Sequence, residues 1–130
     1  MNIGHASTNS GVPSKTIRYY ESIELIPQAN RLENGYRDYS DEDVQRLQFI
    51  HRSRKLGFSI KDVGNLLKLW SDKKRASAEV KKLALDHIDQ LDLRINELQA
   101  IRDTLVHLTE KCHGDERPGC PILESLGADH

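Results

Sequence analysis

Cys112 and Cys120 are the only thiols in the chain, separated by seven residues in KCHGDERPGCPIL. Such a pair can be a disulfide, a redox couple or a metal site, or have no joint role. Gly114, Pro118 and Gly119 make the intervening segment a loop that can fold back and turn both sulfurs toward one ion. Two thiolates without a third ligand suit a soft monovalent ion, because Cu(I), Ag(I) and Au(I) accept linear two-coordination. Zn(II) takes four ligands and would need two more. His113 and His130 are the rival ligands. A histidine beside a ligand cysteine points away from the same ion in most loop geometries, and His130 is a terminal residue. A thiol enzyme with Cys112 as nucleophile fits poorly: redox pairs favour Cys-x-x-Cys, and no helix N-terminus directly follows Cys112 to stabilise its thiolate.

A second constellation lies at the other end, in SKTIRYYES. At about 100° per residue, Lys15, Arg18, Tyr19 and Ser22 fall on one face of a helix, with Ile17 and Tyr20 opposite. One side is basic and aromatic, the other apolar. No acidic residue occurs before Glu21, whereas residues 112–130 set Arg117 against Asp115, Glu116, Glu124 and Asp129. With a formal net charge of -1, only this local bias points to a phosphate-binding end.

Short helices must position the basic face. NIGHASTNSG closes at Gly11, a turn of three or four residues follows, and Ser14 is expected to cap the next helix. Pro27 should stop that helix, and Asn34-Gly35 predicts a type I′ hairpin turn in a two-stranded wing bearing Arg31, Tyr36 and Arg37. Ser40 with Asp43 opens a helix whose stripe is Val44, Leu47 and Ile50, ending at Gly57. Ser59 with Asp62 opens another, lined by Ile60, Val63, Leu67 and Trp70. After a polar break, residues 77–111 contain neither Gly nor Pro. Ala84, Ile88, Leu91, Ile95, Leu98 and Leu105 form a heptad seam interrupted only by Arg102. The seam needs either a partner chain or the chain's own N-terminal domain to cover it, and its narrowness favours a dimer. Pro121 then suits the first position of a short helix.

The 130 residues are 37% hydrophobic, enough for one modest core. The apolar runs fall well short of the ~20 residues of a membrane span, and the N-terminus lacks a signal-peptide pattern. The expected location is the reducing cytoplasm, which disfavours a disulfide. The chain shows no phosphate-binding glycine loop, recognisable paired carboxylates or nucleophile-histidine constellation, so no enzyme is expected.

A helix, a tight turn, a helix with an outward basic face and an arginine-bearing wing make a winged helix-turn-helix. The strings SKTIRYYE, ENGYRDYS and GFSIKDV, followed by the long helix, resemble the MerR family of transcriptional regulators over essentially the whole chain. The resemblance implies a mainly α fold: a winged helix-turn-helix DNA-binding domain over 1–70, a linker over 71–76, an antiparallel coiled-coil dimerisation helix over 77–111, and a metal-binding loop with a short helix over 112–130. It implies a homodimer on double-stranded promoter DNA that reshapes the promoter for RNA polymerase. Lys15, Thr16, Arg18 and Tyr19 stand at the family's recognition helix, Arg31, Asn34, Gly35, Tyr36 and Arg37 in its wing, and Arg54 at a further backbone contact. The cysteine spacing followed by PIL is most similar to the copper-efflux regulators of the family, implying one Cu(I) per loop with Ag(I) or Au(I) as substitutes. Relatives that sense divalent ions have a cysteine where this chain has Ser77, so the resemblance makes Ser77 a selectivity residue. A divalent-metal or thiol-redox sensor of the same family is the alternative.

Overall fold

The computed structural model describes residues 1–72, 74, 77–111 and 119–127. Two compact units divide between Leu83 and Ala84. The first holds α1 (Ile3–Ser10), α2 (Ser14–Ser22), β1 (Asn30–Arg31), β2 (Arg37–Asp38), α3 (Asp41–Lys55) and α4 (Ile60–Ser71). The unit boundary lies within α5 (Ser77–Lys111), which is followed by α6 (Pro121–Gly127).

Local chemistry sets most helix ends in the first unit. Asn2 caps α1 by accepting the His5 N–H at 2.8 Å, and Gly11 ends it at φ 82. A side chain at Gly11 would be strained by that φ, and its Cβ would lie 3.2 Å from the His51 imidazole, which would have to shift to admit it. Ser40 and Asp43 form a reciprocal capping box at α3, and the Ser59 hydroxyl accepts the Asp62 N–H at α4. Ser14 does not cap α2. It is the first helical residue, and Pro13 occupies the cap position without a side-chain bond. Proline works there because its φ is already near -58° and its carbonyl accepts the Ile17 N–H at 2.9 Å.

Pro27 does not end α2 either. The helix stops at Ser22 in a Schellman turn, with Leu25 N–H donating to the Tyr20 carbonyl and Glu24 N–H to that of Glu21. Glu24 sits at φ 59, a left-handed conformation that glycine usually fills. The same device ends α3 with the expected residue, Gly57 at φ 87.

The core comes from α1 to α4 together with the segments around the wing. Ile17, Leu47, Ile50 and Val63 are completely enclosed, joined by Ala6, Val12, Ile26, Tyr39 and Phe58. α1 packs on α2 and α3, and α3 on α4. Each such aliphatic side chain contributes about 1.5–3 kcal/mol by leaving water. Trp70 departs from the expected stripe: it is 44% exposed and its ring stacks on Phe49 at 4.6 Å, sealing the edge of the α3–α4 contact.

Candidate nucleic-acid interface and metal loop

On α2, Lys15, Arg18 and Tyr19 are exposed, Thr16 is half-buried, and Ile17 and Tyr20 are buried. Burying Ile17 and Tyr20 thus turns the basic face outward. Burial also raises the Tyr20 phenol pKa above its ordinary value, against the opposing influence of nearby Arg54.

The wing is an antiparallel pair with Asn30 opposite Asp38 and Arg31 opposite Arg37. Its turn is not type I′. Glu33 and Asn34 keep negative φ, and only Gly35 is left-handed, at φ 84. The Gly35 N–H donates to the Leu32 carbonyl at 2.9 Å, and Leu32 N–H to that of Tyr36 at 2.8 Å, so the connection is a three-residue loop with a glycine bulge. Asn34 earns its place through its side chain, whose Oδ1 accepts the Tyr36 N–H at 3.1 Å. Arg31 Nη1 donates to the Gly35 carbonyl at 2.8 Å, and Tyr36 is 71% exposed at the tip.

Arg37 is less available than sequence suggests, because its Nε donates to Glu21 Oε2 at 3.3 Å. Glu21 is 2% exposed, and its other carboxylate oxygen accepts from the Tyr39 hydroxyl. Burial and the hydrogen bond to Glu21 raise the Tyr39 phenol well above its ordinary pKa, keeping it a donor. Sequence reasoning missed Glu21 and Tyr39, although Glu21 falls beside Ile17 and Tyr20 on the helical wheel, an acid within the apolar arc. Arg18 and Arg37 line one groove of about 720 Å³ with Tyr36 and Leu32, so α2 and the wing open onto a common surface. Arg54, in the last turn of α3, donates from Nη1 to the Phe58 carbonyl at 2.6 Å.

Ser77 is the exposed first residue of α5. Ala84, Ile88, Leu91, Ile95, Leu98 and Leu105 are all exposed, with Leu91 at 41% and Ile95 at 51%. Ile101, also exposed, lies three positions after Leu98 and carries the apolar line past Arg102. Cys120 is half-buried immediately before α6, whose first residue is Pro121, and its carbonyl accepts the Glu124 N–H at 3.0 Å. Cys112, His113 and His130 lie outside the described residues.

A family model described as "MerR HTH family regulatory protein" matches residues 1–70, and one described as "MerR, DNA binding" matches residues 44–108. The chain belongs to the MerR family of transcriptional regulators. Among curated MerR-family relatives, it is 53% identical over 126 residues to heavy metal-dependent transcription regulator 2 of Rhizobium meliloti, covering 97% of this chain and 86% of that one. It is 39% identical over 126 residues to the regulator CueR of Salmonella typhimurium, covering 97% and 91%. The crystal structure of PbrR691 from Ralstonia metallidurans in complex with lead(II) superposes with a TM-score of 0.83 at 32% identity, covering 98% and 99%. These relatives are regulators and not enzymes. No helix among the described residues of this MerR-family chain is long and apolar enough to cross a membrane.

Proposed function

We propose that the chain is a cytoplasmic, metal-responsive regulator that binds a dyad-symmetric operator as a homodimer and, on taking up Cu(I) at Cys112 and Cys120, reshapes the promoter for RNA polymerase to express metal-efflux or detoxification genes. The observation that carries the DNA half is the groove shared by Arg18 on α2 and Arg37 in the wing. Lys15, Thr16, Arg18 and Tyr19 then face the major groove, while Arg31, Asn34, Gly35, Tyr36, Arg37 and Arg54 meet the backbone. The exposed apolar line of α5 supports pairing of two copies through Ala84, Ile88, Leu91, Ile95, Leu98 and Leu105.

The donor set fits a soft ion: two thiols, one of them held at the start of α6, and a serine rather than a thiol at the start of α5. Bound there, Cu(I) would supply a link between the two sulfurs, with Ag(I) or Au(I) able to replace it. A divalent-ion reading draws support from the lead-bound relative, but Ser77 offers no third thiolate. The deciding experiment is anaerobic run-off transcription from the promoter the protein binds, across buffered Cu(I), Ag(I), Zn(II), Cd(II) and Hg(II). Activation by Cu(I) and Ag(I) alone is expected. Equal activation by Zn(II) or Hg(II) would overturn the two-coordinate assignment.

A further inference from the structure

The wing is too small to set its own angle. Each strand contributes two residues, and an isolated two-stranded ribbon is marginal in water. Glu21 on α2 supplies the anchor. The Tyr39 hydroxyl, 18 positions along the chain, donates to Oε1, and Arg37 Nε, 16 positions along, donates to Oε2 at 3.3 Å. A carboxylate this buried is costly unless both oxygens are engaged, and these charge-assisted bonds hold it from two directions. The end of β2 is tied to Met1 as well: the Met1 ammonium lies 2.7 Å from Asp38 Oδ1, and Tyr39 N–H donates to the Met1 carbonyl at 2.7 Å.

We propose that Glu21 is a positioning residue for DNA binding, whose carboxylate, through Tyr39 and Arg37, holds the wing at the angle to α2 that lets Arg18 and the wing arginines engage one duplex together. This rests on the reading of that surface as the DNA interface. With Nε committed to Glu21, phosphate binding by Arg37 falls to Nη1 and Nη2. A loosened clamp draws the wing away from phosphate and leaves base reading by α2 in place. It therefore weakens all sequences alike and lowers the number of counterions released.

The test compares the full-length wild type, Tyr39→Phe, Glu21→Gln and the double variant. Affinity is measured against salt on a duplex that the wild type selects from a random-sequence pool, and on a scrambled duplex of the same length. Thermal unfolding is followed in parallel. Each single variant is expected to weaken both duplexes by the same factor and to flatten the log–log salt slope by roughly 0.9 for each phosphate that the wing no longer neutralises. The double variant should bind no worse than Glu21→Gln. If Glu21→Gln does not fold, Tyr39→Phe, which keeps the Glu21–Arg37 pair, carries the comparison alone. A folded variant with an unchanged salt slope, including one with a lower melting temperature only, would show that the network stabilises the domain without positioning the wing. A wild type that binds neither duplex in a salt-dependent way would instead overturn the DNA reading itself.

Discussion

Arg18 stands on the exposed face of α2 because Ile17 and Tyr20 bury the other, and its guanidinium can bond two acceptors on a guanine edge at once. Arg18→Ala is expected to weaken operator binding by about 1–3 kcal/mol and to relax discrimination at one base pair, measured as the ratio of operator to random-DNA affinity. An unchanged ratio would show that it reads no base. The two thiols predict a different pattern. Cys112→Ser or Cys120→Ser should each abolish Cu(I)-dependent transcription while operator affinity is retained, because half of a two-coordinate site is no site. Ser77→Cys should add a thiolate and extend the response to Hg(II) or Cd(II) in a reporter assay with a panel of metal salts. Silence toward both ions would remove Ser77 from the selectivity account.

At the scale of elements, chain reversals explain which helix ends agree with simple signals. The α2 and α3 termini use the same Schellman bonds, yet one has Glu24 and the other Gly57 at the left-handed position. The left-handed conformation costs a non-glycine residue about 1–2 kcal/mol, part of which glycine returns as unfolded-state entropy. Glu24→Gly should therefore stabilise the first unit by about 0.5–1 kcal/mol, read as a rise in urea midpoint at unchanged slope. A lower midpoint would mean that the Glu24 side chain makes a contact worth more than the backbone strain. In the wing, Asn34 and Gly35 divide their work: Asn34 uses a side-chain bond at negative φ, and Gly35 takes the bulge. Both types are needed, but not for the mirror-image turn their dipeptide suggests.

For the whole molecule, the apolar line of α5 is the strongest demand for a partner. A helix of 35 residues with Ile88, Leu91, Ile95, Leu98, Ile101 and Leu105 all exposed leaves a long hydrophobic face in water when alone. Leu91→Asp would place a carboxylate in the proposed seam without a partner, a penalty of roughly several kcal/mol. Analytical ultracentrifugation should then give a monomer, and operator binding should be lost with it, since a two-fold operator needs both recognition helices at fixed spacing. An intact Leu91→Asp dimer would move the interface elsewhere on the chain.

The residues carrying local signals spoke for themselves in the sequence. Ser40 with Asp43, the Gly11 and Gly57 stops, the outward basic face of α2 and the 77–111 extent of α5 each follow from neighbours within a few positions, because caps and helical faces involve adjacent turns. The two-thiol candidate rests on spacing alone, since Cys112 lies outside the described residues. Tertiary structure decided the rest. Glu21 stands in the sequence as an acid within the apolar arc of α2, and its partners emerge only when Tyr39 and Arg37 reach it from 18 and 16 residues away. The stacking of Trp70 on Phe49 and the common groove of Arg18 and Arg37 likewise depend on elements meeting across the fold. Such contacts carry no sequence period: a side chain's burial and partners are settled by which distant segment packs over it, and only the folded chain brings that segment there.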